Sequence, residues 1–142
     1  LAWRWDKLWR DGFYKQASGY ALLGLVLAAL LLSLRKRLRK LQTLGSFDTW
    51  RIAHVLFGLL APLGLLLHTG GRLGSGLDLA LALCFALTLG LGSACGLVTG
   101  HGHRIGGALA TSLKHRFTWW HLLAFWPLPV LLGFHILKVY WY

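Results

Sequence analysis

Four of the seven histidines stand in long apolar stretches, in two pairs with matching intervals. His54 and His68 are separated by 68 − 54 = 14 residues, and His121 and His135 by 135 − 121 = 14. At about 100° per residue, fourteen residues fall about 40° short of four turns, so each pair shares one helix face. The rise between partners is about 21 Å, most of the way across a hydrocarbon core about 30 Å thick. A neutral imidazole donates a lone pair to a metal without bringing a charge into lipid. Two parallel helices of this kind bring their imidazoles level twice, His54 with His121 and His68 with His135. Such a geometry holds two b-type haems, each iron taking one axial nitrogen from each helix. With both axial positions filled, the iron passes electrons and binds no substrate. Competing readings are a single haem on one pair, a non-haem metal, and histidines that only hydrogen-bond within the helices. Zinc and copper are disfavoured, because each depth offers two protein ligands where three or four are usual.

The elements that must carry these residues are legible in the composition. The 142 residues are 56% hydrophobic and 13% charged, with a mean hydropathy of +0.59. A soluble domain of this length needs more polar surface, and disorder needs far less apolar content. Four continuous apolar runs predict an all-α integral membrane four-helix bundle, with spans at about 17–34, 50–69, 77–99 and 118–140. The whole chain reads as one transmembrane domain. Residues 1–16, with Trp3, Trp5, Trp9, Phe13 and Tyr14 among charges, predict an amphipathic segment at the membrane interface or a contact for a partner subunit.

The net charge of +11 comes from 15 Lys and Arg against four aspartates. Its distribution argues for lipid and against nucleic acid. Arg35, Lys36, Arg37, Arg39, Lys40 and Arg51 fall between spans one and two, and Arg104, Lys114 and Arg116 between spans three and four. The positive-inside rule then puts these loops in the cytoplasm and both termini outside, on the periplasmic face of a bacterial membrane. Spans two and four run in the same direction, as level histidine pairs require. A dense basic cluster follows the first span where a signal peptide would have a small-residue cleavage site, so no secretory signal is read there.

Neighbouring residues suit a cofactor-packed bundle. Gly58, Gly64 and Gly133, and the Gly90–Gly96 stretch with Gly90 and Ala94 in small-xxx-small register, offer clearance for a porphyrin or close helix packing. Pro62, Pro127 and Pro129 lie between the paired histidines and predict bends near the midplane. Haem propionates need cations: Arg51, Lys114 and Arg116 are placed for the cytoplasmic haem, and Arg72 for the outer one. His101, His103 and His115, near the cytoplasmic loop, are candidates for a quinone site or docking face. Cys84 and Cys95, eleven residues apart on one span, are too distant to bridge. No Cys-x-x-Cys-His occurs, so c-type attachment is not expected, and Gly70–Gly74 lacks the context of a nucleotide fingerprint.

The segments AHVLFGLLAPLGLLLHTGG, with His54 and His68, and HLLAFWPLPVLLGFH, with His121 and His135, resemble the membrane di-haem b cytochromes. Two families are similar: cytochrome b of the quinol–cytochrome c oxidoreductases, with paired histidines on its second and fourth helices, and the transmembrane domain of ferric reductases and NADPH oxidases, whose histidine helices run from cytoplasm outward. The predicted orientation agrees with the second. The resemblance covers about residues 50–140 and implies two haem b groups. His54 and His121 would bind the cytoplasmic-side iron, and His68 and His135 the outer-side iron. These residues include neither the flavin and nicotinamide domains of the reductases nor the additional helices of cytochrome b. The resemblance therefore implies a non-catalytic electron-transfer subunit working with another haem, flavin or iron–sulfur protein, a quinone, or a soluble carrier. Alternative expectations are a quinone-reactive membrane anchor with one or two haems, and a haem-free structural anchor.

Overall fold

The computed structural model describes residues 11–38 and 43–141. Most of the N-terminal interfacial segment (residues 1–10) and the basic residues Arg39 and Lys40 lie outside the described residues. Among the described residues six helices follow in order: α1 (Gly12–Arg37), α2 (Phe47–Thr69), α3 (Leu77–Gly100), a single turn α4 (Gly102–Ile105), α5 (Gly107–Phe125) and α6 (Leu128–Trp141). The class is all-α, with no strand among the described residues.

Among the described residues four segments are long and apolar enough to cross a membrane: the first 20 residues of α1, all of α2, all of α3, and α5 with α6 taken together. They fit an integral, multi-pass membrane protein. Leu59, Leu97 and Val130 are each at least 60% exposed, so large apolar side chains face outward, as lipid rather than water would favour.

The chain divides into two compact units, Leu1–Arg72 and Leu73–Tyr142. In the first, α1 and α2 pack as an antiparallel hairpin. A Cβ on Gly64 would lie 3.1 Å from Leu22 Cδ1 and 3.4 Å from Leu25 Cδ1, so this glycine lets α2 approach α1 closely. Helix α2 starts at an N-cap, Ser46, whose hydroxyl accepts from the Thr49 N–H (3.2 Å), with Asp48 in the first turn favouring the helix dipole. It ends at Gly70, whose φ of 63° permits the left-handed cap and an N–H bond to the Leu66 carbonyl. Between the helices Arg35 turns inward. Its guanidinium lies 5.8 Å from both the Phe47 and Trp50 rings and donates to the Gly45 carbonyl at 2.9 Å.

In the second unit α3 packs against α5 and α6. Hydroxyls within these helices are satisfied by the preceding turn: Thr88 donates to the Cys84 carbonyl, Thr99 to Cys95 and Thr118 to Lys114, each at 2.8 Å. Cys84 and Cys95 are unbridged.

The prolines act differently in the two units. Helix α2 continues through Pro62, whereas the α5–α6 segment is interrupted at Trp126 and Pro127. Pro127 and Pro129 each lack an N–H, so the carbonyls of Leu123 and Phe125 lose their regular donors four residues on. The Trp126 N–H answers by sharing itself between the Leu122 and Leu123 carbonyls, at 3.2 and 3.3 Å. The αR conformation of Trp126 keeps the chain close to helical across the break.

Helix α5 begins at Gly107, not near residue 118 as the apolar run suggests. Lys114, His115 and Arg116 are consequently helical rather than part of a loop. Their charges end the hydrophobic pattern without ending the backbone hydrogen bonds.

Candidate functional site

Each of the four intramembrane histidines is half-buried and bonded through Nδ1 to the helix packed against it in its own unit. Near the Arg35 end of the first hairpin, His54 Nδ1 lies 2.9 Å from the Ala29 carbonyl. Near the opposite end, His68 Nδ1 lies 3.2 Å from the Ser18 hydroxyl. In the second unit, His121 Nδ1 lies 2.8 Å from the Thr88 carbonyl, and His135 Nδ1 lies 2.9 Å from Oδ1 of Asp78.

These partners decide the tautomer. A carbonyl oxygen only accepts, so the Nδ1 atoms of His54 and His121 carry the proton. An ionised carboxylate likewise accepts, which assigns the same tautomer to His135. At His68 the hydroxyl could act either way, but Ser18 uses its one proton on the Lys15 carbonyl (3.1 Å), leaving its oxygen to accept from Nδ1–H. In the neutral form of each ring the lone pair therefore sits on Nε2. This is the form a metal-ligating histidine takes when its other nitrogen donates to a carbonyl or carboxylate.

Two glycines admit the rings. A Cβ on Gly19 would stand 3.1 Å from His68 Cε1, and one on Gly92 would stand 3.0 Å from His121 Cε1 and 3.1 Å from its Nδ1. The other small residues divide. Gly64 serves helix packing, whereas a Cβ on Gly58, Gly90, Gly96 or Gly133 would meet nothing within 4 Å. Gly58 lies four residues beyond His54, one turn along the same face, and has open space beside it.

Of the expected propionate partners, Arg51 lies in the second turn of α2, Arg72 follows the end of α2, and Lys114 and Arg116 lie well inside α5. Arg51, one turn before His54, is exposed and paired with Asp48 at 3.2 Å. Lys114 precedes His121 by seven residues and shares its helix face, whereas Arg116, five residues before it, is turned well away. Arg72 is exposed in the turn that follows α2, its N–H bonded to the Thr69 carbonyl at 3.2 Å. Of the remaining histidines, His101 caps α3, with Nδ1 donating to the Leu97 carbonyl at 3.1 Å. His115 accepts the Trp119 indole N–H at 3.0 Å on an exposed face. Among the described residues no group of three or more His, Cys, Asp or Glu side chains is gathered. A bis-imidazole site has two protein ligands and does not require such a group.

Ser18, Gly19, Asp78 and the carbonyls of Ala29 and Thr88 are the residues that sequence reasoning missed. Backbone acceptors leave no mark in a sequence. Asp78 does: it is an acid in the first turn of an apolar span, where an acidic side chain needs a partner. Compared with known proteins, the chain matches no family model, no curated protein and no solved structure.

Proposed function

We propose that this chain is a di-haem b membrane cytochrome subunit that carries electrons across the bilayer between partner subunits or carriers. His54 and His121 ligate the cytoplasmic-side haem, and His68 and His135 the outer-side haem. Support comes from one observation above the others: all four imidazoles have their proton held on Nδ1 by a neighbouring helix, which presents Nε2 as the ligating atom. The equal 14-residue intervals supply the pairing and the two depths. Haem, when bound between two imidazoles, supplies one-electron chemistry with no open coordination position. The protein's own residues do the rest: Ser18, Asp78 and the two carbonyls orient the rings, the small residues make room, and Lys114, Arg51 and Arg72 offer charge to propionates near the interfaces. The basic loops face the cytoplasm in this reading, and the termini face outward.

The test is optical. Purified protein should give a b-type reduced-minus-oxidised spectrum and two haems per chain in a pyridine haemochrome assay. His68→Ala, His135→Ala and the double variant should each lose the same one haem, and His54→Ala or His121→Ala the other. A chain with no b-type signal would be a haem-free anchor. Loss of both haems in the H68A/H135A double variant, when each single variant loses one, would overturn the pairing.

A further inference from the structure

Three of the four ring N–H groups are received by neutral acceptors, the Ala29 and Thr88 carbonyls and the Ser18 hydroxyl. The fourth is not. His135 donates to Asp78, whose other carboxylate oxygen accepts from Lys138 Nζ at 2.9 Å. Lys138 lies three residues after His135, one turn along α6, so one carboxylate from α3 binds two neighbours on the facing helix. Its position is constrained from behind as well. A Cβ on Gly74 (φ 68°) would approach Asp78 Cβ to 2.8 Å, so the turn before α3 closes tightly over this side chain.

We infer that Asp78 is a positioning residue that lowers the reduction potential of the haem ligated by His135, and that Lys138 limits the effect. This rests on the bis-imidazole reading above. The physical reason is the asymmetry of the acceptors. A carboxylate draws the Nδ1 proton more strongly than a carbonyl or hydroxyl does, which makes the imidazole more basic at Nε2. A more basic axial ligand favours the ferric over the ferrous iron, and hydrogen bonding beyond the ligands is one of the means by which a protein sets haem potential. The Lys138 ammonium withdraws charge from the same carboxylate. Removing Asp78 and removing Lys138 therefore act in opposite directions, a pattern that mere loss of folding would not produce.

The experiment is a spectroelectrochemical titration of the purified chain in detergent with soluble mediators, preceded by haem counting. Asp78→Asn should keep two haems and move one of the two midpoints to more positive potential, leaving the other in place. Lys138→Gln should move the same midpoint to more negative potential. Low-temperature electron paramagnetic resonance of the ferric protein should show one low-spin signal altered in D78N and the other unchanged. If D78N retains both haems with both midpoints unmoved, or both moved equally, the inference fails while the haem assignment stands. If D78N does not assemble, the sign of the K138Q shift decides: a positive shift or none overturns the role of the carboxylate. Absence of haem from the wild-type chain would remove the parent reading, and the inference with it.

Discussion

Replacing Gly92 by Ala separates a helix that merely packs from one that holds a ligand. The added Cβ would stand 3.0 Å from Cε1 and 3.1 Å from Nδ1 of His121. Non-bonded carbons settle at about 3.5–4.0 Å, so the ring must withdraw by a few tenths of an ångström. The Nδ1–H bond to the Thr88 carbonyl is 2.8 Å long, and that withdrawal carries it to the edge of the about 2.7–3.2 Å range of good N–H···O bonds. Losing it costs about 0.5–1.5 kcal/mol. Ala, however, gains about 1 kcal/mol over Gly inside a helix. The two effects nearly cancel in overall stability, and a melting curve alone discriminates poorly. Haem affinity is the discriminating quantity, since disturbing the partner of a ligating histidine typically costs about 10–100-fold. Haem transfer to an excess of apomyoglobin, followed optically in detergent, measures it. If the chain holds two haems as proposed, Gly92→Ala should release one of them at least about tenfold more readily than wild type. Gly90→Ala, at a position where a Cβ meets nothing within 4 Å, should release neither faster. Equal retention in the two variants would refute the argument that α3 holds the His121 ring.

Two further outcomes test the frame around the site. Arg35→Ala removes a buried guanidinium that bonds the Gly45 carbonyl and lies beside Phe47 and Trp50; a charged hydrogen bond with flanking rings is worth about 2–3 kcal/mol, so the melting temperature in detergent should fall measurably, and an unchanged melt would show that the α1–α2 turn does not depend on it. For orientation, a variant lacking Cys84 and Cys95 with a single new cysteine at Leu44 or Arg72 should react with an impermeant maleimide in intact spheroplasts only at position 72, and at position 44 only after permeabilisation; the reverse pattern would overturn the assignment of the basic loops to the cytoplasm.

How much of this was legible in the sequence depends on which force wrote it. Lipid imposes continuous apolar runs, so all four spans and the two histidine intervals stand out without a structure. Hydropathy reports where hydrocarbon ends, however, and not where a helix ends. That is why α1 begins at Gly12 and α5 at Gly107, ahead of the apolar runs that reveal them. Prolines read only as potential breaks. The loss of a single donor at Pro62 leaves α2 unbroken, while two prolines in three residues interrupt the α5–α6 segment. The least legible feature is the set of Nδ1 partners, since two of the four are backbone carbonyls and their choice depends on how α1 and α3 are registered against their neighbours. Gly92 and Gly90 look alike as small residues in one span, and only the packed helix shows that one faces an imidazole and the other open space.

Under the proposed haem assignment, the placement of the acceptors also explains why four spans would accompany ligands borne on only two. A histidine in lipid without a defined partner would sample both tautomers, and one of them puts the proton on the nitrogen needed for the metal. Within the first unit, α1 supplies the acceptor for both His54 and His68; within the second, α3 supplies it for both His121 and His135. Each hairpin can therefore fix the tautomer of its two rings by its own folding, before any cofactor arrives. The entropy of orienting the rings is then spent on making the hairpin rather than at metal binding, as preorganisation requires. On this reasoning α1 and α3 are functional elements in their own right, although neither contributes an atom to the iron. Shifting the register of either by a single residue would rotate the acceptors by about 100° away from the imidazoles. An alanine inserted into α1 between Gly19 and Ala29 should therefore impair the sites of His54 and His68 unequally, because only one end of the helix can keep its original register.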